Sequence, residues 1–269
     1  MNKQHVHISV DDCLFMLLDL VSGEHDYQSV FEQPMFAFFK ELHQLYGAVF
    51  SCYCFFQDWE TGRDLSELSN MFADEFQANG DWLRLGFHGL DRRTAYGDTA
   101  FQVQNMHDDY EPAKADYVQV ISHLERITGG GTCIDRMPRV HYYAGSQEAV
   151  RAWREAGNGI QGLLSAEDNR RCYYHSSQQQ EQLLQVGYLR DDEEELAFFR
   201  TCLRLEQTAD IHCWLERVSI DPALKDIIIF IHECWLKKED IREKIKQCTR
   251  FFFQRGYDFG FPQDWIDLK

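Results

Sequence analysis

The sequence predicts an α/β fold built on a parallel sheet, in a chain of 269 residues. Apolar segments rich in β-branched and aromatic residues alternate with segments whose apolar residues recur at helical spacing. Hairpin signals are few, and the chain contains no internal repeat. This alternation is typical of parallel strands joined by helices, in a sheet that is either open or closed into a barrel. We expect a single domain over residues 1–269, since an α/β barrel of this length is one folding unit.

The predicted strands are short, apolar segments. Residues 6–10 include three β-branched residues and contain no Gly or Pro, which is typical of a strand buried inside a sheet. The plainest buried strand is residues 226–231, with four isoleucines and a phenylalanine. The remaining strand-like segments are residues 48–56, 82–87, 135–143 and 160–164.

The predicted helices lie between these strands. Pro34 occupies the first turn of the clearest one. Asn79-Gly80 ends a second, and the glycines at 129–131 end a third. The predicted helices span residues 34–42, 64–77, 112–126, 147–156 and 238–254.

Three polar segments interrupt the alternation. Residues 89–110 have weak periodicity and are predicted to form a long loop over the functional site. Residues 169–188 are polar and Gln-rich, which indicates a hairpin or an insertion. The acidic run at 191–195 is interpreted as the solvated start of a helix.

Polar side chains follow several of the predicted strands. Because functional groups of parallel α/β folds gather at the carboxyl ends of the strands, we expect these side chains to meet in one site. The residues in this position are Asp11, Asp12, His88, Arg136 and His232.

Asp11 and Asp12 are adjacent carboxylates at the end of the first strand. Two neighbouring carboxylates repel, so one must be protonated, hydrogen-bonded or neutralised by a cation. One division of labour has one acid bind a metal while the other acts as a base. Alternatively, the acids cap the helix that follows, as Asp often does.

The other site candidates also have structural interpretations. His88 is either a ligand or a buried histidine with ordinary hydrogen bonds. His232 either takes part in catalysis or pairs with Glu233 or a backbone carbonyl. Arg136 either serves the site or bridges to Asp135.

Charge and cysteine content limit the partners and the compartment. The formal net charge of -17 argues against nucleic acid and against an anionic membrane surface, and favours neutral sugars or small molecules. The nine cysteines are scattered without a Cys-x-x-Cys pair, which is typical of reduced thiols. No signal-peptide pattern precedes the first strand, and no apolar run approaches the ~20 residues of a membrane span. We therefore expect a cytoplasmic protein.

The order of these motifs resembles the polysaccharide deacetylase superfamily of carbohydrate esterases. Residues 9–12 (Ser-Val-Asp-Asp) are similar to its first motif, and residues 85–88 (Leu-Gly-Phe-His) to the strand before its first metal histidine. Residues 136–139 (Arg-Met-Pro-Arg) are similar to its Arg-x-Pro-aromatic motif, and residues 230–232 (Phe-Ile-His) to its closing motif. The resemblance implies an irregular (β/α)7-type barrel with the active site at the carboxyl ends of the strands.

The resemblance also implies a role for each motif residue. Asp11 is the catalytic base, and Arg136 orients it. Asp12 and His88 bind a divalent metal, for which zinc is expected. His232 is the general acid.

Two positions depart from the family pattern. Arg92 stands where the family has its second metal histidine, and Arg139 replaces the aromatic residue of the Pro motif. Two protein ligands would hold zinc loosely, since catalytic zinc usually has three. Either the metal has been lost or a further residue completes the shell; the candidates are Asp91, Asp98, His107 and His141. The residues expected to contact substrate are Arg92, Arg139, His141 and Tyr142.

Three functions follow from these patterns. The first is a metal-dependent hydrolase that removes an acyl group from an N-acetylated carbohydrate. The second is a catalytically inactive barrel that acts as a carbohydrate-binding or interaction protein. The third is a metal-free glycoside hydrolase that pairs Asp11 or Asp12 with Glu233 across ~5 to 10 Å.

Overall fold

A computed structural model describes residues 4–220 and 225–269. The strands are β1 His5–Cys13, β2 Phe50–Phe55, β3 Leu83–Gly89, β4 Thr94–Ala95, β5 Asn105–Met106, β6 Gly162–Ser165, β7 Tyr188–Asp191, β8 Leu196–Arg200, β9 Leu203–Arg204, β10 Asp226–His232 and β11 Asp258–Phe259. The α-helices are α1 Phe15–Asp19, α2 Pro34–Tyr46, α3 Ala73–Gln77, α4 Tyr110–Thr128, α5 Gln147–Glu155, α6 Ser177–Val186, α7 Ile211–Ile220 and α8 Glu239–Gln254.

The main sheet has the parallel order β3-β2-β1-β10-β9. β1 lies at its centre, as expected for a strand so rich in β-branched residues. Its register against β10 runs from His5 opposite Asp226 to Asp11 opposite His232. Asp11, near the end of β1, and His232, the last residue of β10, are therefore neighbours at one edge of the sheet.

Backbone hydrogen bonds close this sheet into a ring. Residues 134–138 form an extended segment that pairs with β3 through Asp135 N to Leu85 O (2.8 Å) and with β6 through Leu164 N to Pro138 O (3.0 Å). β6 pairs in parallel with β8, whose chain continues into β9 beside β10. The ring thus contains seven extended segments: β1, β2, β3, residues 134–138, β6, β8 with β9, and β10. The predicted α/β fold is confirmed.

Alternation along the strands produces two cores. Val6, Ile8 and Val10 of β1 lie in the larger core between the ring and the helices. The smaller core fills the inside of the ring and comprises Tyr53, Met137, Leu164, Ala197, Phe199, Ile228 and Trp265. His7, Ser9 and Asp11 occupy the inward face of β1 and are buried. A charged group on the inward face of β1, such as Asp11, therefore needs a charged or hydrogen-bonding partner inside the ring.

The sequence predicts some helix boundaries well. α2 begins at Pro34, and the side chain of Gln33 caps it by accepting from Met35 N (2.7 Å) and Phe36 N (3.2 Å). It ends at Gly47, whose φ of 70° suits a glycine. In contrast, the helix predicted over 64–77 is only a short turn, Leu65–Glu67, followed by α3.

The polar segment after β6 differs from its prediction. Residues 169–188 contain α6, and the acidic run at 191–195 is the turn between the antiparallel strands β7 and β8, not a helix start. Glu194 of this turn is buried because it binds Arg151 and Arg154. Within the two described stretches of chain, no helix has both the length and the apolar character that a bilayer span requires.

Candidate metal centre and active site

A break in β1 presents both acids of the Asp11-Asp12 pair to one site. The β1–β2 register shifts between Val10 and Cys13, and Asp12 has a φ of 60°. This left-handed conformation is uncommon for a residue other than glycine and is often found at functional sites. In a regular strand the two carboxylates would face opposite sides of the sheet. Here Asp11 contacts the inside of the ring, while Asp12 reaches the side chain at the end of β3.

Asp11 forms a buried ion pair with Arg139. Arg139 Nη1 donates to Asp11 Oδ1 (2.8 Å) and to Ser9 Oγ (2.9 Å), and Nη2 donates to Thr201 Oγ1 (2.8 Å). Asp11 and Arg139 are 2% and 1% exposed. Burial lowers the pKa of Arg139, but the charge of Asp11, its hydrogen bond and the neighbouring Tyr143 and Tyr53 together outweigh burial and raise the pKa, so the arginine remains charged. The pair holds the Asp11 carboxyl in a fixed orientation.

This contact corrects the role of two arginines. The sequence assigns Arg136 to Asp11, but the Nε of Arg136 donates to the carbonyl of Gly159 (2.6 Å), near the start of β6 and away from the carboxyl ends of the strands. Arg139, which the sequence assigns to substrate, is instead committed to Asp11. The Arg-x-Pro order places the arginine before the proline, whereas the side chain that contacts Asp11 comes after the proline.

Asp12, His88 and His141 form a cluster with metal-ligating potential. Their ligand atoms all lie within 4.8 Å of one another. His88 Nε2 is 3.1 Å from Asp12 Oδ1, close to the ~3.3 Å that separates two ligands of a tetrahedral zinc ion. Asp12 and His88 are thus brought together as predicted.

The hydrogen bonds of His88 fix its tautomer. Its Nδ1 is 2.6 Å from the carbonyl of Arg139, which can only accept, so Nδ1 carries a proton. In a neutral His88, the Nε2 lone pair would therefore point at the Asp12 carboxylate and repel it. The close contact is stable only if Nε2 is protonated or a cation lies between the two groups. Such an outer hydrogen bond is typical of metal-binding histidines.

His141 is the residue that completes the cluster. Its Nδ1 is buried without a hydrogen-bonding partner among the described residues. Burial, followed by the charge of His88, lowers its pKa to about 3, so the ring is neutral and can ligate. The other candidates have partners elsewhere: Asp91 binds Thr94, Asp98 binds Arg171, and His107 binds Asp116. The residues present therefore fit a divalent metal with one carboxylate and two imidazole ligands.

Arg92 and Tyr142 border this cluster. Arg92 Nη2 lies 3.7 Å from Asp12 Oδ2, and its side chain is 45% exposed. The Tyr142 hydroxyl donates to the carbonyl of Arg92 (3.2 Å), and its ring stacks on His141 (3.8 Å) and Phe101 (4.7 Å between centroids). The arginine adds positive charge beside Asp12, whereas the stacked rings form an aromatic wall.

Burial raises the pKa of Asp12, but the hydrogen bond from His88, together with the charges of His88 and His232, outweighs it. The net effect holds the pKa of this carboxyl well below its usual range. Asp12 is therefore ionised and able to ligate a cation.

His232 is oriented by Glu206. His232 Nδ1 donates to Glu206 Oε1 (2.6 Å), which also accepts from Arg204 Nε (2.7 Å). Burial lowers the pKa of His232, but Glu206 and the charges of Asp11 and Asp12 raise it above its usual value. Because Nδ1 is engaged, Nε2 is the nitrogen that can deliver a proton. Sequence reasoning missed Glu206, which follows the unrecognised strand β9.

Glu233 has a structural role. Its Oε2 accepts from Leu14 N (3.1 Å) and Phe15 N (3.2 Å), and its Oε1 accepts from Met16 N. This carboxyl thus caps the start of α1, the role that the sequence offered as an alternative for Asp11 and Asp12. It also removes Glu233 as a partner for His232 and as the second carboxylate of a glycoside hydrolase.

These groups surround a cavity of about 440 Å³ at the carboxyl ends of the strands. Its wall is formed by Asp11, His88, Phe101, Arg139, Val140, His141, Tyr142, Tyr143, Arg170, Arg204, Gln207, Phe230 and His232. Tyr142 and Tyr143 have φ values of 60° and 57°, so the backbone is strained beside the cluster. The predicted loop over residues 89–110 reaches the cavity through Phe101.

No family model matches the sequence, and no curated protein matches it. Solved structures do resemble the chain over nearly its whole length. One is a family 4 acetyl xylan esterase from Clostridium thermocellum in complex with a cobalt ion, with 10% identity, 98% of this chain and 91% of that chain covered, and a TM-score of 0.48. Another is the T48 deacetylase with substrate, with 11% identity, 96% and 87% coverage, and a TM-score of 0.47. At such low identity, the site must be understood from its own side chains.

Proposed function

We propose that the chain is a metal-dependent hydrolase that removes the acyl group from an N-acetylated carbohydrate. The observation that carries the proposal is the set of groups around one cavity: a paired carboxylate at Asp11, the cluster Asp12-His88-His141, and a proton donor at His232. These are the components that metal-assisted hydrolysis requires. Their close grouping at the carboxyl ends of the strands is what an active site in this fold needs.

Asp12, His88 and His141 would hold the metal. Zinc is the ion we expect, because imidazole nitrogen and carboxylate oxygen suit it and three protein ligands leave a position open. When bound, a divalent metal polarises the acyl carbonyl and acidifies water.

The chain's own residues would supply the proton transfers. Asp11 would accept a proton from the attacking water, and Arg139 orients Asp11 for that task. His232 would protonate the departing amine through Nε2, while Glu206 holds the ring and favours its charged form. The stacked rings of Tyr142 and Phe101 would pack against the sugar.

A second candidate is a non-catalytic carbohydrate-binding or interaction protein. Arg92 favours it, because its guanidinium lies 3.7 Å from Asp12 and opposes a second cation. In that case Asp12 would be satisfied by Arg92 and a protonated His88. The two candidates differ first in metal content.

Metal content and amide hydrolysis test the proposal together. The wild type, Asp12→Ala and the control His107→Ala would be purified without chelator, and then assayed for bound metal and for acetate release from N-acetylglucosamine oligomers. We expect about one metal ion per chain and metal-dependent acetate release in the wild type and the control, and neither in Asp12→Ala. A wild type that binds no zinc, nickel or cobalt when these ions are supplied would overturn the hydrolase. If the Arg92→Ala variant binds metal and the wild type does not, the non-catalytic binding protein is favoured.

The partners and compartment that we propose agree with this function. The net charge of -17 disfavours nucleic acid as a partner. All nine cysteines are free thiols, which supports a reducing compartment such as the cytoplasm.

A further inference from the structure

The charge of the cavity wall is opposite to that of the chain. The whole sequence has 44 acidic and 27 basic residues. The cavity wall, however, contains one acidic residue, Asp11, and three arginines, Arg139, Arg170 and Arg204. Arg139 pairs with Asp11. Arg170 pairs with Asp168 and Glu167, and Arg204 with Glu206, so each of these two arginines offers a ligand the edge of its guanidinium that the carboxylates leave free.

The two arginines of the cavity wall come from other segments of the ring than the residues of the metal cluster. Asp12, His88 and His141 of the cluster lie on β1, on β3 and after residue 138. Arg170 follows β6, and Arg204 is the last residue of β9. A sugar whose acetamide approached Asp12 and His88 would therefore extend its far side toward Arg170 and Arg204.

Arg204 retains hydrogen-bonding capacity. Its Nε donates to Glu206 Oε1 (2.7 Å), and that same oxygen also accepts from His232. Its η nitrogens have no hydrogen-bonding partner within residues 4–220 and 225–269, and its side chain is 24% exposed. Glu206 thus shares one negative charge between two cationic groups when His232 is protonated, which leaves the surroundings of Arg204 positive.

Arg170 has a similar free edge. Its Nε and Nη2 bind Asp168 (2.7 and 2.6 Å), and Nη2 also lies 3.6 Å from Glu167 Oε1, which leaves Nη1 without a hydrogen-bonding partner in the described chain. Its side chain is 35% exposed, and its guanidinium lies 5.5 Å from the ring centroid of Tyr143. Paired arginine edges of this kind suit the planar oxygens of a carboxylate or the oxygens of a phosphate.

We infer that the substrate carries a negative group, a carboxylate or a phosphate, which Arg204 and Arg170 bind. This inference rests on the proposed function for the position of the acetamide, but the recognition of the anion is independent of hydrolysis. Under this inference, Arg204 and Arg170 are specificity-determining residues. The chain, although acidic as a whole, then has a local binding site for an acidic sugar.

Equilibrium binding of three probes tests the inference. The probes are N-acetylglucosamine, N-acetylglucosamine 6-phosphate and N-acetylglucosaminuronic acid, measured by calorimetry on the intact wild-type chain. We expect one or both anionic sugars to bind about tenfold or more tightly than the neutral sugar, and the preferred probe then distinguishes phosphate from carboxylate. Raising the salt concentration should weaken only the anionic probes.

Variants assign the effect to the proposed residues. Arg204→Gln and Arg170→Gln should each remove most of the preference for the anion. The control Arg171→Gln should retain it, because Arg171 pairs with Asp98 and does not line the cavity. Equal affinity for neutral and anionic sugars in the wild type would overturn the inference, as would a preference unaffected by salt and by both variants.

The failure of this inference can be told apart from the failure of the proposed function. Acetate release from neutral and anionic sugars at equal kcat/KM would leave the hydrolase in place and overturn the inference. Arginine-dependent binding of the anionic sugar without acetate release would support the inference and contradict the hydrolase.

Discussion

Arg139 Nη1 lies 2.8 Å from Asp11 Oδ1, and this ion pair is enclosed by the ring of strands. The contact ties the end of β1 to the segment after residue 138, and Thr201 after β8 shares the same guanidinium. Charges buried in this way are stable only while both partners are present. The catalytic base proposed for the site is therefore also part of the barrel's internal structure.

Replacing Arg139 by Met should strongly destabilise the fold. The change leaves Asp11 buried without a counter-charge, which typically costs about 3–5 kcal/mol. Urea unfolding would measure the loss. Arg136→Met is the matched control, since Arg136 does not contact Asp11. The double change Asp11→Leu with Arg139→Met should regain part of the loss; a double variant as unstable as the sum of the single ones would argue against the pairing.

Replacing His141 by Ala should weaken metal binding by at least about a hundredfold. Even changes behind the ligands cost 10–100-fold in affinity, so the loss of a direct ligand should cost more. Zinc titration against a competing chelator measures the affinity. The control His107→Ala should bind normally, because His107 is paired with Asp116. Equal affinity in His141→Ala and the wild type would exclude His141 as a ligand.

The His232-Glu206 pair should control activity at alkaline pH. Burial lowers the pKa of His232, but Glu206 and neighbouring acids raise it above its usual value. Its contribution to stability is therefore fully present below the unfolded pKa of about 6.5 and is lost as pH rises through the folded pKa. Activity that needs the charged ring should fall over the same interval of rising pH.

Glu206→Gln should move that alkaline limit to lower pH, because the neutral amide no longer stabilises the imidazolium. The pH profile of kcat/KM and the NMR titration of the His232 ring measure the shift independently. Glu167→Gln is a suitable control, since Glu167 binds Arg170 and not His232. Identical titrations of His232 in the wild type and Glu206→Gln would refute the role of Glu206.

Local sequence patterns predicted the fold well where they were strong. β10 has a nearly continuous run of isoleucines, β1 carries β-branched residues at alternate positions, and α2 has both a proline start and a glycine end. The segment from β8 to β9 was missed because Arg200, Thr201 and Cys202 interrupt an apolar pattern that is short on either side. Its strand character depends on pairing with β6 and β10, which no local pattern reveals.

From the sequence, only site residues that follow a recognisable strand could be predicted. Asp11, Asp12, His88 and His232 could be predicted to lie near one another because each follows an apolar strand. Sequence could not show that Arg139, and not Arg136, contacts Asp11, because this depends on which side chain of an irregular segment faces the inside of the ring. Glu206 could not be predicted because it follows the missed strand β9. His141 remained one of four options, since its approach to His88 requires the left-handed backbone at Tyr142 and Tyr143 that sequence does not announce.

Glu233 should make the stability of the protein depend on pH in the opposite sense to an ordinary carboxylate. Burial, only partly offset by the backbone donors of α1, raises its pKa to about 7. The native state thus keeps a proton that the unfolded chain releases near pH 4.5, so this contribution to stability is complete below about pH 4.5 and is lost as pH rises through about 7.

Glu233→Gln cannot ionise, so it should lack this loss. Relative to the variant, the wild type should lose about 3 kcal/mol of unfolding free energy between pH 4.5 and pH 8, measured by urea unfolding at each pH. The control Glu239→Gln, at a side chain that is 79% exposed, should follow the wild type. Parallel curves for the wild type and Glu233→Gln would mean that Glu233 caps α1 as a carboxylate throughout. In that case the three N–H groups, rather than burial, would determine its charge, because donors to a carboxylate favour the ionised form.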